Sequence, residues 1–303
     1  MYLYHYGLTE LPFSLTPDTD FYCELPVYSD AMNVLRIALE SGEGFVKVIG
    51  EVGTGKTMLC RMLLNYLDKR VQCAYLPNPY LSPNELRLAL ASELSIRVAR
   101  TIDQYQLTEK INSKILKLHQ KGKSVVVIVD EAQAIPRETL EALRLFTNLE
   151  TEKQKLLQVV LFAQPELDQR LAKPELRQLR QRIAFSCKLK ALDMQSINVY
   201  LNHRLRAAGL SFEHVNGGGL FSAGAIRKLL KYSRGIPRLV NVIAHKSMML
   251  AYGNGRFKVE AIDVKKAAKD TDDVSFNYWW VGLAAAFLIS GSVYSIVMAG
   301  WLL

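Results

Sequence analysis

One end of this chain carries no charge. From residue 274 to residue 303 there is no Asp, Glu, Lys or Arg, so the net charge of +9 lies wholly in what precedes. The basic residues are dispersed, and no run of five or more occurs, which argues against a dedicated nucleic-acid tail. Cysteine is scarce. Cys23, Cys60, Cys73 and Cys187 form no C-x-x-C and no metal-ligand spacing, which excludes a zinc ribbon or a disulfide framework and leaves reduced, buried thiols. The five histidines make no H-E-x-x-H and do not cluster, so no histidine-based metal site is expected. No N-terminal signal peptide is read, because Glu10, Pro12, Pro17 and Asp18 break the apolar residues there. Internal repeats and low-complexity tracts are also absent. What remains is a 303-residue chain with room for one large or two modest domains.

The stretch around which the chain is organised is Gly50-Glu51-Val52-Gly53-Thr54-Gly55-Lys56-Thr57. It closes an apolar run at residues 45–49 and opens an amphipathic one at residues 58–67, which predicts strand, phosphate loop and helix. The pattern is G-x-x-x-x-G-K-[ST]. Its glycines let backbone N–H groups turn inward to cradle polyphosphate at a helix N-terminus, where the helix dipole favours negative charge. Lys56 is the residue to reach the β and γ phosphates, and Thr57 the hydroxyl to hold Mg2+. Glu51, Val52, Thr54 and Met58 complete the nucleotide-binding stretch. About 75 residues on, residues 125–129 form an apolar strand ending in Asp130 and Glu131, as an Mg2+-binding partner strand should. Together the two motifs point to nucleotide hydrolysis, with ATP and Mg2+ as cofactors.

Read in order, residues 1–27 are rich in aromatics and turn residues, and their prolines predict an extended segment that packs on the next domain or flanks the base. A helix follows over residues 28–39. Residues 72–76 read as a strand. Ser82-Pro83-Asn84-Glu85 is a capping box that opens a helix to about residue 94. Further helices are expected to end at Gln120 and to run from Pro136 to about residue 149, with strands at 156–163 and 183–189. Alternation at these lengths means a mainly parallel α/β sheet with helices on both faces. From Asp193 strands cease. Helices at 196–208, 223–232, 237–252 and 260–269 predict a small all-α lid. The expected domains are thus an N-terminal segment (1–27), an α/β nucleotide domain (28–190), a lid (191–272) and a transmembrane helix (278–303).

That last span is apolar or small throughout. As a helix it would reach about 39 Å, against a bilayer core of about 30 Å. Tyr278, Trp279, Trp280 and Trp301 stand where interfacial aromatics belong, and Lys258, Lys265, Lys266 and Lys269 precede it, which predicts a single-pass membrane protein with its bulk in the cytoplasm. Gly291, Ser295 and Ala299 form a small-residue stripe suited to helix–helix contact.

Five stretches, taken together, support a family resemblance: the phosphate loop; Asp130-Glu131; the strand end Phe162-Ala163-Gln164-Pro165; the segment Leu176-Arg177-Gln178-Leu179-Arg180-Gln181-Arg182; and Gly235-Ile236-Pro237-Arg238. In this order they resemble an AAA+ ATPase of the general secretion pathway A (ExeA) type, nearest to those serving mannose-sensitive haemagglutinin pili. The resemblance implies Asp130 as an Mg2+ ligand with Thr57, Glu131 as the residue polarising the attacking water, and Gln164 as a polar sensor. It implies Arg180 or Arg182 as an arginine finger acting on a neighbouring subunit, and Arg238 as a second sensor reaching phosphate from the lid. It also implies a homo-oligomer working with inner-membrane pilus or secretion assembly proteins. Relatives continue past the membrane helix into a peptidoglycan-binding domain, so a direct grip on the cell wall is not expected here. Two other classes stay open. A DNA-binding AAA+ regulator is favoured by the net charge but opposed by the terminal span and by the lack of a nucleic-acid-reading module. An ATP-binding scaffold without turnover requires Glu131 to stand away from the water.

Overall fold

The computed structural model describes residues 2–99, 101–151, 155–211 and 219–272. The expected span at 278–303, with its Gly291, Ser295 and Ala299 stripe, lies outside them. Among the described residues no helix is long and apolar enough to cross a membrane.

The chain opens with α1 (Tyr2–Tyr6), runs through a 3-10 turn at Thr19–Phe21, and enters α2 (Pro26–Glu40). Then alternate β1 (Phe45–Ile49), α3 (Lys56–Tyr66), β2 (Val71–Leu76), α4 (Pro83–Glu93), α5 (Gln104–Gln120), β3 (Ser124–Val129), α6 (Arg137–Phe146) and β4 (Leu157–Ala163). Two short helices, α7 (Glu166–Leu171) and α8 (Arg177–Arg182), lead into β5 (Ile183–Lys188). Four more helices close the described part: α9 (Met194–Ala207), α10 (Ala223–Ser233), α11 (Pro237–Gly253) and α12 (Ala261–Lys269).

All strand pairings are parallel, in the order β2-β3-β4-β1-β5. Central strands of such a sheet are covered on both faces, which is why β3 and β4 are nearly continuous apolar runs. Their side chains alternate between two cores. Val46, Val48, Val126, Ile128, Val160 and Phe162 face one; Phe45, Ile49, Val127, Val159 and Leu161 face the other, against α4, α5 and α6. Lys47 shares that second face by alternation and ends in an ion pair with Asp168 of α7.

The first core does not stop at the sheet. It runs through α2 and α3 and the aromatics of the N-terminal segment into α9, α10, α11 and α12. The lid therefore shares its hydrophobic core with one face of the sheet. One buried polar group on β4 has a purpose: Gln158 donates to the carbonyls of Leu39 (3.2 Å) and Glu43 (3.1 Å), satisfying the orphan end of α2.

The N-terminal segment corrects the expectation of a wholly extended stretch. Residues 2–6 are helical, and the prolines that disfavour helix lie beyond them. Tertiary contacts fix this turn: the Tyr6 hydroxyl donates to Met248 O (3.1 Å), and the Tyr2 hydroxyl meets His245 Nδ1 at 3.0 Å, both on α11. Pro26 already lies in α2, two residues before the expected start at residue 28.

Candidate active site

The strand order sets the site. β4 lies between β1 and β3, so their C-terminal ends bring the loop after β1, Gln164 after β4 and Asp130 after β3 side by side. In open parallel sheets the crevice at this end is where ligands bind.

The loop from Gly50 to Gly55 is shaped by its own hydrogen bonds and by two neighbours. Thr54 Oγ1 donates to Glu51 O (2.8 Å), and Lys56 Nζ donates to Gly50 O (2.9 Å) and Glu51 O (3.1 Å). Gly55 has φ 95°, and a Cβ there would meet the Tyr28 hydroxyl at 2.9 Å. Tyr28, buried on α2, donates to Thr54 O (2.9 Å) and so braces the loop from below. Gly53, with φ 80°, carries the lid on its other side: its carbonyl accepts the backbone N–H of Arg238 at 3.1 Å. The first N–H groups of α3 have no partner within the helix and face the site. This is an anion cradle.

Burial pushes the Lys56 ammonium down from its ordinary value, while Glu131, Asp130 and Glu51 oppose the shift. Asp130 is 5% exposed, and desolvation raises its carboxyl although the Thr57 hydroxyl and the Glu131 N–H (2.9 Å) both bond to it. Thr57 and Asp130 thus present two hard oxygen donors in mutual contact beside the loop. That donor set fits Mg2+, which takes few protein oxygens and completes its shell with phosphate and water.

Glu131 has left-handed backbone (φ 53°, ψ 36°) and its side chain lines the cavity above Lys56. One carboxylate oxygen, Oε2, accepts from Gln164 Nε2 (2.9 Å) and from Gln133 Nε2 (2.5 Å). The cavity has a volume of about 370 Å3 and is walled by Gly53, Gly55, Lys56, Thr57 and Met58 on one side and by Pro237, Arg238 and Asn241 of the lid on the other. Aromatic residues line it too: Phe21 and Tyr22 of the N-terminal segment, Tyr28 of α2 and Tyr200 of α9, with Ser14, Leu15, Thr16 and Pro17; Tyr28 and Tyr200 had no part in a site in the sequence expectation. Of the two expectations for the N-terminal segment, packing is seen against α11 and α9, and residues 14–17 and 21–23 also line the cavity.

Arg204 on α9 holds that segment. It is 4% exposed, donates to Pro12 O (2.5 Å) and Ser14 O (3.2 Å), and lies over the Phe21 ring at 4.9 Å. In the sequence it was one more arginine on a helix. The three arginines singled out there fall differently. Arg238 lines the cavity. Arg180 is exposed on α8 and Arg182 donates to Thr147 Oγ1 (3.3 Å), and neither borders the cavity of its own chain.

The sequence of residues 39–171 matches the family described as AAA domain. Over 295 residues the chain is 37% identical to General secretion pathway protein A of Aeromonas hydrophila, covering 96% of this chain and 53% of that protein. The chain thus spans about half the length of the curated relative it matches. Among solved structures it is similar to Cdc6p from Pyrobaculum aerophilum (TM-score 0.63, 21% identity, 88% of this chain and 71% of that one). It is also similar to the ORC2 protein of Aeropyrum pernix (TM-score 0.59, 20% identity, 85% and 71%). At these identities the likeness concerns the fold.

Proposed function

We propose that this P-loop ATPase, with its AAA domain at residues 39–171, is an inner-membrane-anchored enzyme that couples ATP hydrolysis to assembly of a type II secretion apparatus or a type IV pilus of the mannose-sensitive haemagglutinin kind. The observation that carries the biological part is the 37% identity to General secretion pathway protein A over 295 residues, 96% of the chain. The anchor rests on the uncharged stretch at residues 278–303 and the lysines before it. Partners of this reading are further copies of the chain, membrane lipid and inner-membrane assembly proteins.

The chemistry assigned to the site follows from the groups in it. Lys56, buried and surrounded by loop carbonyls, exchanges those contacts for the β and γ phosphate oxygens of ATP. Thr57 and Asp130 would hold Mg2+, which would supply charge neutralisation for the phosphates. Glu131 faces the cavity and takes up the proton of the attacking water, while Gln164 fixes its carboxylate. Arg238 brings a positive charge from the lid, so that lid position follows the phosphate content of the site. The arginine finger comes from Arg180 or Arg182 of a neighbouring copy.

The test separates chemistry from biology. Lys56→Ala should lose ATP binding, and Glu131→Gln should keep binding and lose turnover, measured by nucleotide titration and phosphate release. In cells, either variant should fail to restore secretion or surface pili to a deletion strain. A deletion strain with normal secretion and normal piliation would remove the biological reading while leaving the enzyme intact. Salt-dependent retention of the purified protein on DNA would favour a nucleic-acid role instead.

A further inference from the structure

Residues 131–135 follow β3 as a tight turn whose second polar residue is Gln133. Its amide is engaged at both ends. Gln133 Oε1 accepts the backbone N–H of Gln164 at 3.0 Å, and Gln133 Nε2 donates to Glu131 Oε2 at 2.5 Å. The orientation is therefore fixed from both ends: turning the amide over would set its NH2 against an N–H donor and its oxygen against a carboxylate. The Gln164 side chain donates to the same Glu131 oxygen, closing a ring of three residues. The turn that carries Gln133 is itself pinned, because Arg170 of α7 donates to the carbonyls of Gln133 and Ile135.

This ring sits on a residue that needs it. Glu131 is a non-glycine residue in left-handed backbone, a conformation that persists only when its surroundings hold it. Its other oxygen, Oε1, is left out of the ring while the side chain faces the nucleotide cavity.

We propose that Gln133 is a positioning residue for ATP hydrolysis: it holds the Glu131 carboxylate by one oxygen so that the other is presented to the attacking water, and it links that carboxylate to the strand end at Gln164. The proposal rests on the assignment of Glu131 as the water-activating residue. Gln133 touches neither nucleotide nor water, and acts through Glu131.

The experiment compares Gln133→Leu, Gln133→Glu and Gln133→Asn in the full chain, each alone and in a Glu131→Gln background, by steady-state and single-turnover hydrolysis with parallel ATP titration. Gln133→Leu should lower kcat about 10- to 100-fold, part of the roughly 100- to 10,000-fold that a general base contributes, with ATP affinity within about twofold of the parent. Gln133→Glu should be at least as slow, since it cannot donate and places a second carboxylate against Glu131. Gln133→Asn, one methylene short, should recover part of the loss. In the Glu131→Gln background Gln133→Leu should cost nothing further. The proposal is overturned if Gln133→Leu keeps the parental kcat, if it loses ATP binding along with turnover, or if it costs the same factor in both backgrounds. Near-normal turnover by Glu131→Gln alone would instead overturn the assignment on which it rests.

Discussion

The backbone N–H of Arg238 donates to the carbonyl of Gly53 at 3.1 Å, and a methyl group added to Gly53 would lie 2.6 Å from the Arg238 Cβ. The loop after β1 and the start of α11 touch backbone to backbone. Gly53→Ala should therefore act twice, through its positive φ and through displacement of the lid. The expected cost is about 1–3 kcal/mol in stability, with ATP affinity reduced tenfold or more. Thermal unfolding and nucleotide titration on one preparation check both; parental affinity would show that the contact is dispensable.

Asp130 gives a pH prediction whose sign is opposite to that of a usual ion-paired carboxylate. Burial raises its folded-state value above the unfolded 3.8, so the folded protein binds the proton more tightly than the unfolded chain does. Its contribution to stability is then most favourable at low pH and declines as pH rises from the unfolded value through the raised folded one. Asp130→Asn, which removes the buried charge, should raise the melting temperature of the nucleotide-free protein at neutral pH by roughly 2–4 °C and abolish Mg2+-dependent hydrolysis. Calorimetry across pH 4–7 checks it: the gap between parent and variant should narrow toward acid.

Arg204 should matter more than its distance from the phosphates suggests. Arg204→Met leaves the Pro12 and Ser14 carbonyls without their donor and frees the segment that lines the cavity. A loss of about 3 kcal/mol is expected, seen as a fall of roughly 6–12 °C in melting temperature, with weakened ATP binding. Lysine should rescue only in part, because an ammonium can donate to carbonyls but has no planar face to lay over the Phe21 ring.

For the arginine finger, exposure separates the two candidates. Arg182 is already engaged with Thr147, whereas Arg180 is exposed at the end of α8. We expect Arg180→Ala mixed with Lys56→Ala to regain ATPase activity through composite sites, and Arg182→Ala in the same mixture to behave as a folding variant. A mixture no more active than its components would exclude a site shared between subunits.

The sequence carried the parts of this molecule that depend on near neighbours. The phosphate loop and the strand ending in Asp130 are contiguous strings. Helices α9 to α12 were legible to within about two residues because their apolar periodicity is local and Gly235-Ile236-Pro237 and Gly253-Asn254-Gly255 divide them. What escaped depends on distant partners. The α1 turn spans five residues, too short for any periodicity, and exists because α11 receives its tyrosines. Gln133, Gln158 and Arg204 each look like ordinary polar residues until the atoms they satisfy, 31 to 192 positions away, are in place. Tyr28 was read as the start of a helix, and its hydroxyl under Thr54 could not be inferred from that.

The docking of α1 on α11 has a consequence for how the protein is made. Tyr6 and Met248 are separated by 242 residues, so at about 5–20 residues per second the tyrosine is synthesised roughly 12–48 seconds before its acceptor. During that interval Phe13, Phe21 and the tyrosines of the N-terminal segment have no lid to cover them, and the cavity has no second wall. A nascent chain halted before α9 should therefore possess the phosphate loop but hold nucleotide weakly, and should be a client for chaperones that bind exposed aromatic segments. Competence to bind ATP then arrives late and all at once, when translation has passed the residue that α1 was waiting for.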